Sequence, residues 1–183
     1  MKSQIITLDK QSLRRLSRQL KSQMSADEKL SQSDSIFAQI EQSDYFAKSD
    51  NIVSYWSLDD EVETHRFVER WATRKNIYLP VVVGNDLVFR QFTSTDNMRE
   101  GAFGIMEPTG EQLGNLSEIK MVIVPGVAFD KQNNRMGRGR GFYDRMLSVT
   151  NAFKVGVAYK CQMFEQIPIC DNDIPMDIIV IPK

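Results

Sequence analysis

The sequence contains little cysteine or histidine, and it has no long apolar run. Two cysteines, Cys161 and Cys170, are too few for a disulfide framework, and they do not form the C-x-x-C pair typical of zinc sites. The single histidine, His65, leaves no pattern of a hydrolase-like catalytic triad. Because no apolar stretch is long enough for a signal peptide or a membrane span, we expect a soluble cytoplasmic protein with reduced thiols and no membrane partner.

What the sequence does contain is the composition of a globular domain. Of its 183 residues, 42% are hydrophobic and 26% are charged, which argues against a disordered chain. A chain of this length can bury roughly 70% of the surface that its unfolded form exposes, enough for one hydrophobic core. We therefore expect one domain that spans residues 1–183.

Charge is nearly balanced over the whole chain, with a formal net charge of -1, but it is segregated along the sequence. Residues 1–24 carry six basic side chains and one acidic side chain, and residues 131–145 carry five basic side chains and one acidic side chain. Residues 27–63 carry ten acidic side chains and two lysines. Two basic segments in a neutral chain favour a small anionic ligand, such as a phosphate, over a nucleic-acid surface. A solvated helix face plus a basic loop would give the same pattern.

The spacing of apolar residues predicts helices in the first part of the chain. Asp9 should cap a first helix, whose apolar stripe recurs every three or four residues at Leu13, Leu16, Leu20 and Met24. The basic residues of this helix should share the opposite flank: Lys10, Arg14, Arg18 and Lys21. A second helix should follow the capping box formed by Ser25 and Glu28, and a third should run from Thr64 to Asn76.

Strands are predicted at residues 52–56, 77–83, 87–92, 121–124, 155–159 and 178–181. The sequence Gly84-Asn85-Asp86 predicts a hairpin turn, and Pro80 suggests that its strand lies at an edge or ends there. Residues 93–118 show no clear period and are interpreted as a long functional loop. Strands that alternate with helices predict an α/β fold with a mostly parallel central sheet flanked by helices.

The most informative stretch follows the predicted strand at 121–124. It reads VPGVAFD over residues 124–130 and NRMGRGRGFYDR over residues 134–145. The glycines at 137, 139 and 141 allow the backbone to approach an anion closely, and the N–H groups at the start of a following helix point toward it. Interleaved arginines add fork-shaped donors for phosphate oxygens: Arg135, Arg138 and Arg140.

The residues after this loop fit a nucleotide site. Asp144, one turn into the predicted helix, could bind a magnesium ion that bridges phosphates, while Met146, Leu147 and Val149 should face the core. An Arg-Gly RNA-binding element is the alternative, but such elements are normally repetitive and disordered. Here the motif lies between a buried strand and an apolar helix, so we expect no nucleic-acid partner.

At these residues the chain resembles the 5-formyltetrahydrofolate cyclo-ligase family, whose members are also called methenyltetrahydrofolate synthetases. The resemblance includes the arginine–glycine motif and Gln162, with KQSLR at residues 10–14, DDEVET at 59–64, FGIMEP at 103–108 and NDIPMD at 172–177. The combination in this order is specific and covers nearly the whole chain. It implies a single α/β domain of three layers that converts 5-formyltetrahydrofolate to 5,10-methenyltetrahydrofolate, with release of ADP and phosphate from ATP.

The resemblance also implies which residues form the site. ATP would be bound by Lys10, Gln11, Ser12, Leu13 and Arg14, and by Arg135, Met136, Gly137, Arg138, Gly139, Arg140, Gly141, Phe142 and Tyr143. Folate would contact Trp56, Glu61, Arg138, Gly139, Arg140, Gly141 and Phe142, and magnesium would be held by Asp144 and Asp173. Catalysis would rest on Arg138, Arg140 and Tyr143. We expect a monomer that acts on the folate with or without a polyglutamate tail.

The implied reaction explains the residue types. Phosphorylating the formyl oxygen turns it into a leaving group, so that N10 of the folate can attack the formyl carbon and close the ring. The protein has to hold two anionic molecules in line and neutralise charge on the moving phosphoryl group. Cationic side chains and a magnesium ion could do this without a protein nucleophile: Lys10, Arg14, Arg138 and Arg140.

Several positions also have simpler interpretations. Glu61 could be a solvated carboxylate rather than an acceptor for pterin N–H donors, and Trp56 could be core rather than a wall for the pterin. Tyr143 could stack on a ligand or pack beneath the loop, and His65 should be exposed. The acidic metal ligand near residue 173 could be Asp171, Asp173 or Asp177. For the whole chain, the alternatives are a non-enzymatic nucleotide or folate binder of the same fold and the RNA-binding module.

Overall fold

A computed structural model describes residues 8–101 and 104–183; Lys2 of the first basic segment and Phe103 of the FGIMEP motif lie outside the described residues. The helices are α1 (Lys10–Ser22), α2 (Ala26–Glu41), α3 (Asp44–Ala47), α4 (His65–Trp71) and α5 (Phe142–Leu147). The strands are β1 (Asn51–Val53), β2 (Asn76–Val83), β3 (Asp86–Gln91), β4 (Met98–Glu100), β5 (Met106–Pro108), β6 (Met121–Val124), β7 (Ala128–Asp130), β8 (Arg135–Met136), β9 (Phe153–Val157), β10 (Met163–Phe164) and β11 (Ile178–Val180). In the part of the chain that the structure describes, no helix is long and apolar enough to cross a membrane.

The central sheet has six strands in the order β11-β9-β6-β1-β2-β3. Neighbouring strands from β11 to β2 run parallel, and β3 pairs antiparallel with β2. The turn between β2 and β3 contains Gly84 at φ 61°, a left-handed conformation that glycine adopts easily. The predicted α/β fold with a mostly parallel sheet and the predicted hairpin are confirmed.

The sheet is covered on both faces, as a parallel sheet requires. Alternate residues of β6 enter two separate hydrophobic clusters, with Ile123 in the first and Val124 in the second. Helices α2 and α3 complete the first cluster through Ile36 and Phe46, and α5 completes the second through Met146. The predicted three-layer arrangement is therefore confirmed.

Side-chain caps fix the starts of α1 and α2 where the sequence predicts them. Asp9 and Ser25 each accept a hydrogen bond from the backbone N–H three residues later, at 2.7 and 3.1 Å. Helix α4 differs from the prediction, because the Thr64 hydroxyl donates to the Tyr55 carbonyl at 2.6 Å instead of capping the helix. Helix α4 is also shorter than predicted and ends at Trp71.

The buried face of α1 is partly polar, which corrects the sequence analysis. Leu13, Ser17 and Lys21, spaced four residues apart, are its buried residues. This face packs on backbone carbonyl groups: Ser17 Oγ donates to the Val127 carbonyl at 2.5 Å, and Lys21 Nζ donates to the Asp60 carbonyl at 2.6 Å. The prediction that Lys21 lies on the flank opposite the apolar stripe is therefore wrong.

Pro80 lies inside β2, which is not an edge strand. The pairing of β1 with β2 ends at Val53 and Tyr78. Pro80 lies beyond this last pair, so no residue of β1 lies opposite it to accept the hydrogen bond that proline cannot donate. Further along β2, Val82 N donates to the Glu107 carboxylate at 3.0 Å instead of to a strand. The proline is tolerated because the neighbouring strand has already ended.

Short elements account for most other differences from the sequence analysis. Strands β7, β8 and β10 form a small separate sheet, and residues 93–118, predicted to be a loop, contain the β4–β5 hairpin. The predicted strand at 52–56 ends at Val53. Val149, predicted to face the core, is 68% exposed because α5 ends at Leu147.

Candidate active site

A cleft of about 1110 Å³ opens beyond the carboxyl ends of β1 and β6. These strands are neighbours at the centre of the sheet, and the chain continues from them toward opposite edges, to β2 and to β9. Ligands of open α/β sheets bind at such a switch point. The lining includes Trp56 and Glu61 from the connection after β1, and Pro125 and Gly126 from the connection after β6.

One wall of the cleft is the glycine-rich segment of residues 137–141, which we call the phosphate loop. It connects β8 to α5. Gly139 has φ 105° and Gly141 has φ 68°, conformations that a residue with a Cβ rarely adopts. The glycines at these two positions are therefore needed for the path of the backbone, whatever the loop binds.

Helix α1 brings two cationic side chains to the cleft, one of which contacts the phosphate loop. Arg14 Nε donates to the Gly137 carbonyl at 3.0 Å, and a Cβ at Gly139 would lie 3.4 Å from the Arg14 guanidinium. Lys10 Nζ forms an ion pair with Asp173 Oδ2 at 2.5 Å. Partial burial opposes the charge on Lys10, but hydrogen bonding and electrostatic attraction to Asp173 and Cys170 together outweigh it, so the pKa of Lys10 is raised above its ordinary value.

Beneath the loop, Arg135 is buried, with its side chain 3% exposed, and it pairs with Asp144. Arg135 Nη2 donates to Asp144 Oδ1 at 2.6 Å, and Nη1 donates to the Pro125 carbonyl at 3.2 Å. The guanidinium also lies 5.6 Å from the ring centre of Tyr143. Loss of hydration raises the pKa of the partly buried Tyr143 well above its ordinary value, so its hydroxyl is protonated at neutral pH.

Arg138 links the phosphate loop to the opposite wall of the cleft. Its guanidinium contacts the carboxylates of Asp60 and Glu61, and the distance to Glu61 Oε1 is 3.0 Å. The second oxygen of Glu61 accepts a hydrogen bond from Leu58 N at 3.1 Å. Partial burial opposes the charge of Arg138, but the nearby Glu61 and Asp60 raise its pKa above the ordinary value.

The aromatic part of this wall is a stack around Trp56. The indole stacks with the His65 ring, with centroids 3.9 Å apart, and contacts the Phe92 ring, with centroids 5.5 Å apart. His65 Nε2 lies 3.1 Å from the Ser57 carbonyl oxygen, so the histidine is partly buried rather than fully exposed as predicted. Trp56 lines the cleft and packs against the core at the same time, which combines its two proposed interpretations.

The cleft brings together most of the predicted site residues. Those that line it are Lys10, Arg14, Trp56, Glu61, Arg135, Met136, Gly137, Arg138, Gly139, Arg140, Gly141, Phe142, Tyr143, Asp144 and Asp173. Gln11, Ser12 and Leu13 are not among the lining residues. The Ser12 hydroxyl bonds the Asp9 cap, and Leu13 is buried against Val127 and Met136.

The sequence analysis did not identify a group of lining residues that come from the long segment 93–118 and from the loop before β11. They are Ile105, Met106, Glu107, Asn172 and Ile174. Glu107 is 4% exposed and, as described above, bonds the backbone of β2. The FGIMEP motif that contains Glu107 was the available signal, since it is one of the motifs that carry the family resemblance.

The acidic residues predicted to bind magnesium are each paired with a cation. Arg135 bonds one oxygen of Asp144, and both contacts to Asp173, from Lys10 and Cys170 N, reach its Oδ2. Within residues 8–101 and 104–183, no group of three or more His, Cys, Asp or Glu side chains could hold a metal ion alone. A magnesium ion at these carboxylates would need phosphate and water as its other ligands, because Mg²⁺ commonly takes only one or two carboxylates.

The fold and the cleft define an α/β ligand-binding protein in which a phosphate loop faces an acidic and aromatic wall. Such a cleft suits an enzyme that holds a phosphate-bearing ligand beside a second, flat ligand with N–H donors. Residues 6–182 match the model of the 5-formyltetrahydrofolate cyclo-ligase family, and the chain belongs to this family.

Named relatives agree with this assignment. The 5-formyltetrahydrofolate cyclo-ligase of Haemophilus influenzae is 38% identical over 140 residues, which cover 71% of this chain and 75% of that protein. The enzyme of the same name from Escherichia coli (strain K12) is 34% identical over 142 residues, which cover 72% and 78%. The NMR structure of Aquifex aeolicus 5,10-methenyltetrahydrofolate synthetase matches with a TM-score of 0.85 at 35% identity, covering 93% of this chain and 88% of that one. The family predicted from the sequence motifs is confirmed.

Proposed function

We propose that this protein catalyses the ATP-dependent cyclisation of 5-formyltetrahydrofolate to 5,10-methenyltetrahydrofolate, with release of ADP and phosphate. The observation that carries the proposal is the single cleft in which Lys10, Arg14 and the phosphate loop face Trp56 and Glu61. The names of the relatives support the same reaction. Neither the RNA-binding alternative nor the non-enzymatic one gains support from these comparisons.

ATP binds with its phosphates against the cationic side of the cleft. Lys10 and Arg14 reach this side from α1, and Arg138 and Arg140 belong to the phosphate loop itself. Arginine forks match phosphate oxygens well, and a lysine supplies a compact charge. These four side chains neutralise the charge that spreads over the transferred phosphoryl group, which is the main requirement of phosphoryl transfer.

The folate binds at the opposite wall. The Glu61 carboxylate accepts hydrogen bonds from pterin N–H donors, and the part of Trp56 that lines the cleft gives the flat ring an apolar surface to pack against. Transfer of the terminal phosphoryl group of ATP to the formyl oxygen makes that oxygen a leaving group. N10 then attacks the formyl carbon, the carbon–oxygen bond breaks, and inorganic phosphate leaves with the N10 proton as the methenyl bridge forms.

Tyr143 and the acidic residues have supporting roles. Because the Tyr143 hydroxyl stays protonated, it serves as a hydrogen-bond donor to a bound phosphate rather than as a base. The second oxygens of Asp144 and Asp173 would hold a magnesium ion that arrives with ATP and neutralises phosphate charge.

The function is tested by mixing the protein with ATP, magnesium and 5-formyltetrahydrofolate. We expect near-ultraviolet absorbance of 5,10-methenyltetrahydrofolate to grow, with one ADP released for each product molecule formed. Omission of either substrate is the control. A protein that binds both substrates but forms neither product nor ADP would instead be the non-enzymatic binder.

A further inference from the structure

The connection between β1 and α4 carries Glu61, and its backbone is held by side chains from several different elements. We call residues 57–63 the acidic loop. Four consecutive carbonyl groups of this loop each accept a side-chain hydrogen bond, at 3.1, 2.6, 2.5 and 2.9 Å. The donors, in the order of carbonyls Asp59, Asp60, Glu61 and Val62, are Lys29, Lys21, Tyr159 and Tyr55.

This number of contacts is unusual for a connecting segment, whose carbonyl groups are commonly hydrated. A loop fixed in this way holds its side chains in place before a ligand arrives, so less ordering is needed when the ligand binds. The donors also differ in their position relative to the cleft. Tyr55 lines the cleft, as Glu61 itself does, whereas Lys21 and Tyr159 do not.

Among the four donors, Lys21 makes the most consequential contact. Its side chain is 3% exposed, and its ammonium group bonds both the carbonyl and the carboxylate of Asp60, at 2.6 and 2.8 Å. A buried ammonium is costly unless it is paired. Lys21 and Asp60 are therefore bound to each other firmly, and α1 is connected to the acidic loop at this point.

Asp60 continues the connection toward the reacting groups. Its other carboxylate oxygen contacts Arg138, and Arg138 in turn bonds Glu61. Partial burial opposes ionisation of Asp60, but the hydrogen bonds from Lys21 and Arg138 outweigh it and lower its pKa. A continuous path of charged contacts thus runs from Lys21 through Asp60 and Arg138 to Glu61.

We propose that Lys21 is a positioning residue of the active site, which fixes the acidic loop through Asp60 and so sets the place of Glu61 at the folate wall. This inference rests on the proposed function and adds to it a residue that does not itself contact either substrate. Lys21 lies outside the cleft lining, whereas the proposed ATP ligands of α1, Lys10 and Arg14, line it. Its loss should therefore affect folate binding more than ATP binding.

The test compares Lys21→Met and Asp60→Asn with Lys75→Met as a matched control. Lys75 is also a partly buried lysine, and it donates to the Ser49 carbonyl at 2.8 Å outside the cleft. We expect Lys21→Met and Asp60→Asn to raise the KM for 5-formyltetrahydrofolate by about tenfold, because a displacement near 1 Å is sufficient for such a loss. The KM for ATP should rise by less than the KM for the folate, because Arg138, which Asp60 also contacts, is one of several proposed phosphate ligands, and Lys75→Met should change neither constant.

A second readout keeps folding and positioning apart. Calorimetric titration of 5-formyltetrahydrofolate without ATP should show the same loss of affinity for Lys21→Met, while thermal melting confirms that the variant is folded. Where Lys21→Met does not fold, Asp60→Asn decides, because its side chain is 37% exposed and the substitution keeps the size.

Equal increases in both KM values, or wild-type folate affinity in folded Asp60→Asn, would overturn the proposal. Wild-type protein that forms no methenyl product would refute the proposed function instead, so the two failures are distinguishable.

Discussion

Replacing Arg138 with alanine separates a substrate-binding role from a structural one. In the structure the guanidinium lies between the carboxylates of Asp60 and Glu61. The Arg138 side chain is 46% exposed, so solvent screens these ion pairs in part. We therefore expect Arg138→Ala to lower the free energy of unfolding by no more than about 1 kcal/mol.

The effect on activity should be larger than the effect on stability. With ATP bound, Arg138 is expected to donate a charge-assisted hydrogen bond to a phosphate oxygen. Loss of such a contact costs about 1.5–3 kcal/mol, which lowers kcat/KM for ATP roughly 10- to 150-fold. Steady-state kinetics at saturating folate measures this loss, and denaturant unfolding measures the stability.

Arg66→Ala is the matched control. Arg66 also forms an ion pair at the surface: it lies 3.5 Å from Asp34, and both side chains are more than half exposed. It lies outside the cleft lining, so its loss should leave kcat/KM for ATP unchanged. Wild-type kcat/KM for ATP in Arg138→Ala would refute the phosphate-binding role, as would a loss explained entirely by the unfolded fraction.

Three further predictions concern the loop, the acidic contacts and the metal. Gly139→Ala should lower the melting temperature and the activity, because φ 105° is strained for alanine. Gly114→Ala is the control and should not lower activity, because a Cβ there would meet only the flexible Glu118 carboxylate, at 3.8 Å. The pKa of Asp60 is lower in the folded protein than in the unfolded chain, so its ionised carboxylate stabilises the fold at pH values above the ordinary pKa of about 3.9. This stabilisation is lost as the pH falls through the pKa that Asp60 has in the folded protein. The difference in unfolding free energy between wild type and Asp60→Asn should therefore shrink below about pH 4, and a constant difference down to pH 2 would contradict this. Asp144→Asn should lower activity and recover in part at higher magnesium concentration, whereas no response to magnesium would argue against metal binding at this carboxylate.

The parts of the fold that the sequence predicts well are those whose signals are local. Asp9 caps α1 through the backbone three residues away, and β6 is a short apolar run followed by Pro125 and Gly126. Such patterns depend on spacing within one element and are visible without knowledge of its neighbours. The phosphate loop was likewise predictable, because glycine and arginine alternate over only a few residues.

The parts that could not be predicted depend on distant partners. Lys21 falls among the basic residues of α1 by spacing, yet it is buried because Asp60 lies beside it in the folded chain. The stack of His65 on Trp56 is likewise a tertiary contact. Strands such as β8 contain two residues, too few for any alternation to be detected. The ion pair of Arg135 with Asp144 shows the same limit, since its residue types alone suggest a phosphate ligand and a metal ligand.

The central claim is that ATP and folate occupy opposite walls of one cleft, with Lys10 on the ATP side and Glu61 on the folate side. The most direct test is to measure both Michaelis constants for Lys10→Ala and for Glu61→Gln. We expect Lys10→Ala to raise the KM for ATP by about tenfold or more with the folate KM near wild type, and Glu61→Gln to do the converse. A reversed pattern, or equal changes in both constants for both folded variants, would contradict this placement of the two substrates.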